Sequence, residues 1–260
     1  HSGTLDPMAT GVLPVFIGRA TRLIDLLPIT DKRYRATIRF GLTTDTLDIT
    51  GKVLSQSPVS VTREQLEAAL SPFRGEIMQV PPMVSALKHN GRRLYDLARE
   101  GKVVERPSRP VTIYELCCLG PGEEANEFVL DVFCSKGTYI RTLCHDIGQA
   151  LGCGGVMATL RRTMAAGFDL SQAVTMDEIL SAEDAPALLL SVDSYFGDYP
   201  AVSISGEAER RCRNGNRFSS KGENGRFRVY GENGEFLMLG ERKDGVMSTV
   251  KSFFAPPEQK

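Results

Sequence analysis

From Arg33 to Phe40 the chain alternates without a break. Tyr34, Ala36, Ile38 and Phe40 share one face of an extended segment; Arg33, Arg35, Thr37 and Arg39 share the other. A period of two over that length is what a half-buried β-strand requires. A second strand is predicted over Phe128 to Ser135, with Lys136-Gly137-Thr138 as the turn after it. The helix that follows repeats Ile140, Leu143, Ile147 and Leu151 at helical spacing, with Arg141 and His145 one turn apart on an adjacent face. Thr62-Arg63-Glu64-Gln65 and Thr175-Met176-Asp177-Glu178 are capping boxes. The first opens a helix with Leu66, Ala69, Leu70 and Phe73 on its buried side and Pro72 near its end. Strands and helices mix without regular β-α-β alternation, which points to an α+β fold rather than a doubly wound sheet. No internal repeat is visible.

Two regions depart from this pattern. Residues 80–110 are irregular, basic and rich in Gly and Pro, as a long surface excursion would be, and such loops tend to be functional. A boundary falls near Gly197-Asp198-Tyr199-Pro200, dividing the chain into residues 1–197 and 198–260. Beyond it come short strand-like runs, Arg226 to Tyr230, Glu235 to Gly240 and Val246 to Phe253. Asn214-Gly215, Asn224-Gly225, Asn233-Gly234 and Asp244-Gly245 separate them as hairpin signals, suggesting a small β-barrel-like module.

Charge and composition narrow the function. With 42% apolar and 24% charged residues the chain reads as an ordinary soluble globular protein. No stretch approaches ~18 consecutive apolar residues, which argues against a membrane span. The net charge of -1 hides two basic patches. Residues 88–109 hold Lys88, Arg92, Arg93, Arg99, Lys102, Arg106 and Arg109 against three acids, and residues 207–228 hold seven basic residues against three acids. Such patches suit a protein that touches nucleic acid along part of its surface, and they also suit plain solvated faces. The six cysteines include no C-x-x-C pair, and His1, His89 and His145 complete no zinc-ligand spacing. They read as reduced thiols of a cytoplasmic protein with no metal site.

Three side chains could carry chemistry. Asp6, in Gly3-Thr4-Leu5-Asp6-Pro7, sits on a turn that Pro7 stiffens; its carboxylate can act as nucleophile or base, or merely close an Asx-turn on its own backbone. Ser135-Lys136-Gly137-Thr138-Tyr139-Ile140-Arg141 places an aromatic ring and a guanidinium at a strand-to-helix junction. Arg141 there could hold a carboxylate ionised and oriented, or simply face solvent. Tyr34 could face the core or a pocket.

Several segments, in order, resemble the TruB family of tRNA pseudouridine synthases. His1-Ser2-Gly3-Thr4-Leu5-Asp6-Pro7-Met8-Ala9-Thr10-Gly11-Val12-Leu13 is similar to its catalytic motif. Asp31-Lys32-Arg33-Tyr34-Arg35, Gly41-Leu42-Thr43-Thr44-Asp45-Thr46-Leu47-Asp48, Cys134 to Arg141 and Leu160-Arg161-Arg162 extend the likeness. Pro82 to Lys88 and Gly91 to Tyr95 resemble the insertion by which bacterial members grip the tRNA T-arm.

The resemblance implies a pseudouridine synthase fold, a mixed and largely antiparallel sheet flanked by helices, followed by a small β-rich module of the PUA kind. It implies isomerisation of the T-loop uridine, with Asp6 as the catalytic aspartate, Tyr34 stacking on the base and a candidate for handling the C5 proton, and Arg141 pairing with the aspartate. His1, Tyr139 and Leu160 match residues lining the uridine pocket, and Lys88, Arg92 and Arg93 fall where tRNA is bound. No redox change occurs in that reaction, so no cofactor or metal is expected; the partner is tRNA, and a monomer without membrane or protein partner suffices. Family members carry an N-terminal strand and a Lys-Pro motif ahead of the His1 position, and we therefore expect an N-terminally incomplete chain. The rivals are a guide-RNA-dependent synthase of the dyskerin type and a non-catalytic RNA-binding module. A glycoside hydrolase fits poorly, because that chemistry usually takes two carboxylates.

Overall fold

The alternating segment forms a nine-residue strand, Lys32–Phe40, in the computed structural model, which describes residues 1–27 and 29–255. The chain divides into two units: His1–Pro14 with Pro28–Ala173, and Val15–Leu27 with Val174–Lys260.

In the first unit the strands are β1 (Thr10–Gly11), β2 (Lys32–Phe40), β3 (Leu42–Thr44), β4 (Val53–Gln56), β5 (Gly75–Gln79), β6 (Lys88–His89), β7 (Arg92–Arg93), β8 (Arg109–Pro121), β9 (Glu127–Cys134), β10 (Gly155–Ala165) and β11 (Phe168–Asp169). The helices are α1 (Arg63–Leu70), α2 (Leu94–Arg99) and α3 (Ile140–Ala150). Among the described residues the main sheet has seven strands in the order β1-β10-β2-β9-β8-β5, with β11 paired to β10. Every pairing in it is antiparallel except that of β1 with β10. This is the α+β arrangement expected from the sequence.

Central β2 shows why the alternation was needed. Tyr34, Ala36, Ile38 and Phe40 are buried against α1 and α3, where Leu66, Leu70, Leu143 and Ile147 are each fully buried. Full burial of each such aliphatic side chain contributes about 1.5–3 kcal/mol. On the opposite face Arg33 pairs with Asp131 at 2.7 Å and Glu115 at 2.8 Å, and Arg39 with Glu127 at 2.6 Å. Strand β10 lies close under α3: a Cβ on Gly148 would stand 2.2 Å from the Gly155 nitrogen, so glycine is required there. Both predicted capping boxes form, at Thr62 and Thr175.

The excursion at residues 80–110 carries more structure than its composition suggested. Strands β6 and β7 pair as a hairpin across Asn90-Gly91, both at positive φ, and α2 follows with Leu94 and Leu97 buried.

The second unit adds α4 (Met176–Ser181), β12 (Ala201–Ser203), α5 (Gly206–Arg213), β13 (Phe218–Ser219), β14 (Gly225–Tyr230), β15 (Phe236–Lys243) and β16 (Val246–Ser252). Its sheet runs β12-β14-β15-β16-β13 around Val229, Leu237, Met238 and Met247. The composition change at Gly197 to Pro200 lies inside this unit, just ahead of β12. Asn233-Gly234 and Asp244-Gly245 close hairpins as read, but Asn214-Gly215 does not. It ends α5, with Gly215 at φ 72° donating to the Cys212 carbonyl, because a residue in the left-handed region serves a helix C-terminus as well as a hairpin. Asn224 accepts the Asp244 amide through its side chain at the start of β14.

Among the described residues no helix is long and apolar enough to cross a membrane. The six cysteines are all free. Burial pushes the thiol of Cys144 up to about 12 and those of Cys134 and Cys212 up to about 11, so these three stay protonated near neutrality.

Candidate active site

Asp6 occupies a tight turn ahead of β1, closed by the Ala9 amide donating to the Asp6 carbonyl at 2.9 Å. Its carboxylate closes no Asx-turn; both oxygens accept from Arg141 in the first turn of α3. Nε donates to Oδ2 and Nη2 to Oδ1, each at 2.9 Å. This fork-to-fork geometry fixes the plane of the carboxylate as well as its distance.

The guanidinium is itself anchored. Nη1 donates to the Thr46 carbonyl at 3.1 Å and Nη2 to the Val84 carbonyl at 2.8 Å. Asp48 stands 3.8 Å from Nε. Its Oδ1 is held by the Thr46 hydroxyl at 2.9 Å, the Thr50 amide at 2.9 Å and the Thr50 hydroxyl at 2.6 Å. The Arg141 side chain is 4% exposed and that of Asp6 is 31% exposed. The cation is thus sunk beneath a carboxylate that still reaches outward, with acceptor capacity left for a ligand.

Tyr34 lies on β2 and is buried in the core. Burial pushes its phenol up to about 12, Cys134 and Asp6 push the same way, and Arg162 pulls against them. The hydroxyl is therefore protonated at neutral pH. Leu160 on β10 faces Ala36 of β2 and is buried in the same cluster. Tyr139 precedes α3, and its backbone is gripped on both sides by Gln79: the Tyr139 amide donates to Oε1 at 2.8 Å, and Nε2 donates to the Tyr139 carbonyl at 3.0 Å. His1 is exposed, its Nδ1 accepting the Gly3 amide at 3.3 Å.

The structure thus brings Asp6 and Arg141 into contact and sets Tyr34 where it senses the Asp6 charge. Lys88, Arg92 and Arg93 sit on the β6–β7 hairpin. Arg93 donates to the Ala86 carbonyl at 3.2 Å, and Arg92 forks onto Glu100, which also takes Lys102 at 2.9 Å. Hydrogen bonds from Arg92 and Lys102 hold the Glu100 carboxyl down to about 2. The guanidinium groups of Arg93 and Arg99 lie 6.0 and 5.4 Å from the Tyr95 ring centroid.

Sequence reasoning missed three residues of this site. Asp48 had a signal, since Thr46 and Thr50 flank it at the spacing of a self-bonded Asx loop. Arg162 had a weaker one: a cation at an inward-facing position of a strand. Gln79 had none. Among the described residues no group of three or more His, Cys, Asp or Glu could hold a metal ion.

Residues 1–140 match the N-terminal domain of the TruB family pseudouridylate synthases. Residues 141–194 match the tRNA pseudouridylate synthase B C-terminal domain, and residues 200–249 the C-terminal domain of pseudouridine synthase II TruB. Proteins named tRNA pseudouridine synthase B align over most of the chain. That of Stutzerimonas stutzeri is 52% identical over 79% of this chain and 68% of its own. Those of Ralstonia pickettii (50%; 84% and 70%) and Escherichia coli (42%; 85% and 74%) are similar. Among solved structures, a Cbf5-Nop10-Gar1 complex matches with a TM-score of 0.65 and 23% identity over 98% of this chain and 76% of that one. An H/ACA RNP bound to a substrate RNA matches with a TM-score of 0.64 and 22% identity over the same shares. These two likenesses concern the fold.

Proposed function

Because the chain belongs to the TruB family of pseudouridylate synthases, we propose that it isomerises uridine to pseudouridine in tRNA, at the uridine of the T-loop. It is an enzyme of tRNA pseudouridine synthesis, as its relatives are named. The observation that carries the assignment of roles is the Asp6–Arg141 pair. A partly exposed carboxylate locked in plane by a buried, carbonyl-anchored arginine is a preorganised nucleophile rather than a surface ion pair.

In this reading the N1–C1′ bond breaks, the uracil turns while bound, and C5 joins C1′. The proton lost from C5 is balanced by one gained at N1. Asp6 attacks the ribose or the base, and Arg141 keeps it ionised and aimed. With its phenol near 12, Tyr34 meets the uracil as a neutral ring, which suits stacking. It can accept the C5 proton only once its own has been removed. His1, Tyr139 and Leu160 line the pocket around the base.

A T-loop uridine must be extruded to reach Asp6, at a cost of a few kcal/mol that stacking and phosphate contacts offset. We assign those contacts to the β6–β7 hairpin with Lys88, Arg92 and Arg93, and to the second unit as an RNA-binding module of the PUA kind. Recognition by loop shape and phosphate charge makes binding sensitive to salt.

The test is incubation with an unmodified tRNA transcript, without guide RNA or added protein, followed by mapping of pseudouridine. Product at the T-loop uridine alone, absent in Asp6→Asn while tRNA binding stays within a few fold, is the expected result. Product elsewhere would remove the T-loop assignment, and an active Asp6→Asn would remove the carboxylate from the mechanism.

A further inference from the structure

Arg162, on β10, is the largest fully buried side chain among the described residues. A guanidinium taken out of water needs a carboxylate or a full set of acceptors. Among the described residues Arg162 has no carboxylate partner; its side chain bonds to main-chain oxygens instead. Nε donates to the Val12 carbonyl at 2.7 Å, Nη2 to the Gly3 carbonyl at 3.1 Å and Nη1 to the Thr4 carbonyl at 3.5 Å. These acceptors bracket Asp6, two ahead of it and one beyond β1.

The main chain of Arg162 holds the same loop. Its carbonyl accepts the Val12 amide at 2.8 Å, and it pairs with Gly11 in the parallel β1–β10 bridge. The approach is so close that a Cβ on Gly11, at φ 100°, would stand 2.1 Å from the Arg162 carbonyl oxygen. On its other side Arg162 is the direct cross-strand partner of Tyr34, and its positive charge pulls against the upward shift of that phenol.

We infer that Arg162 is a positioning residue for pseudouridine formation: from a strand paired with both β1 and β2 it clamps the turn that carries Asp6 in register with Tyr34, so that both meet the uridine as one rigid unit. This rests on the reading of Asp6 and Tyr34 as reacting groups. Arginine suits the task because its planar fork serves several acceptors at once, whereas an ammonium has one centre from which to donate. A role in stability alone is poorly served by a buried cation lacking a counter-charge, since an apolar side chain of similar size would do as well or better.

The experiment compares wild type, Arg162→Lys, Arg162→Met, Tyr34→Phe and the Arg162→Lys/Tyr34→Phe pair. Four quantities are measured: single-turnover pseudouridine formation at saturating enzyme, tRNA Kd, melting temperature, and amide exchange over residues 2–13. Displacements of about 1 Å in a reacting group cost on the order of 100-fold, so that loss is expected in the single-turnover rate of Arg162→Met, with ~10-fold in Arg162→Lys. Kd should stay within about threefold, as befits a residue that touches no substrate. Exchange should quicken in the turn but not in β9. The Arg162→Lys and Tyr34→Phe losses should be non-additive in the single-turnover rate, as expected of cross-strand neighbours that act through one site.

A folded Arg162→Lys with a wild-type single-turnover rate overturns the inference, as does a loss confined to Kd. Should Arg162→Met fail to fold, the lysine variant decides. An inactive wild type would fell the functional reading itself, while the exchange data would still decide whether Arg162 clamps the turn.

Discussion

Arg141 and Arg92 each grip a carboxylate with two nitrogens, yet the two pairs are physically different objects. Arg141 is 4% exposed and spends its other donors on the carbonyls of Thr46 and Val84, so it cannot follow its partner outward. Arg92 is 48% exposed, and Glu100, 43% exposed, is shared with Lys102. The first pair is set before any ligand arrives. The second must hold long side chains in place against their own entropy and salt screening, and such pairs contribute little to stability. Identical functional groups thus give a fixed instrument in one place and a solvated, exchangeable network in the other.

The comparison breaks most visibly at Asp6. Asp6→Asn should lower single-turnover formation of pseudouridine on the order of 10³-fold or more, the scale of losing a group that acts as part of a unit in the transition state. Arg141→Lys keeps the charge but loses the fork, and a rate loss of about 10–100-fold with Kd little changed is expected. If the rate is unaffected, the bidentate geometry does not matter to the chemistry.

The surface pair predicts the reverse pattern, in binding rather than rate. Glu100→Gln releases Arg92 and Lys102 from a carboxylate, and the slope of log K against log salt for tRNA binding should steepen by about 0.7–0.9 for each freed cation that reaches a phosphate. A slope identical to wild type would show that neither cation faces the RNA.

The smallest effect is on stability. Glu100 has a depressed folded-state pKa, so whatever it contributes is fully present above its unfolded value of 4.5 and is lost as pH falls towards about 2. Being exposed, it should contribute little, and Arg92→Gln should leave the melting temperature at neutral pH essentially where it was. Tyr34 has the opposite sign. Its phenol is raised, so its contribution holds below pH 10 and is lost as pH rises through about 12. Tyr34→Phe should accordingly blunt alkaline destabilisation between those values, as followed by thermal melts.

What could be read ahead of the coordinates was what is local. The alternation of β2, the capping boxes at Thr62 and Thr175, and the turn and helix after Ser135 are each written within about ten residues. Strands β8 and β10 were not assigned, and β10 shows why: Arg161 and Arg162 interrupt its apolar pattern, although one points outward and the other is wholly buried. Helix α5 was overlooked because its single buried side chain, Cys212, offers no hydrophobic stripe. The site posed the same difficulty on a larger scale. Asp6 meets Arg141 across 135 positions and Val12 meets Arg162 across 150, so no window of sequence contains either contact. The family motifs gave roles to Asp6, Tyr34 and Arg141; Arg162 lay within one of them without a role and Gln79 lay in none, and the hydrogen bonds of both go to backbone atoms that any residue could supply.

The hydrogen bond from Arg141 to the Val84 carbonyl links the proposed RNA grip to the carboxylate. Val84, whose carbonyl binds Arg141, lies at the root of the segment that leads into the β6–β7 hairpin. An RNA that seats the hairpin poorly would tug on that carbonyl and, through it, on the guanidinium that aims the carboxylate. Near-cognate RNAs would then be held about as well as the right one but converted slowly, so that discrimination is exercised in the speed of the reaction and not at the door.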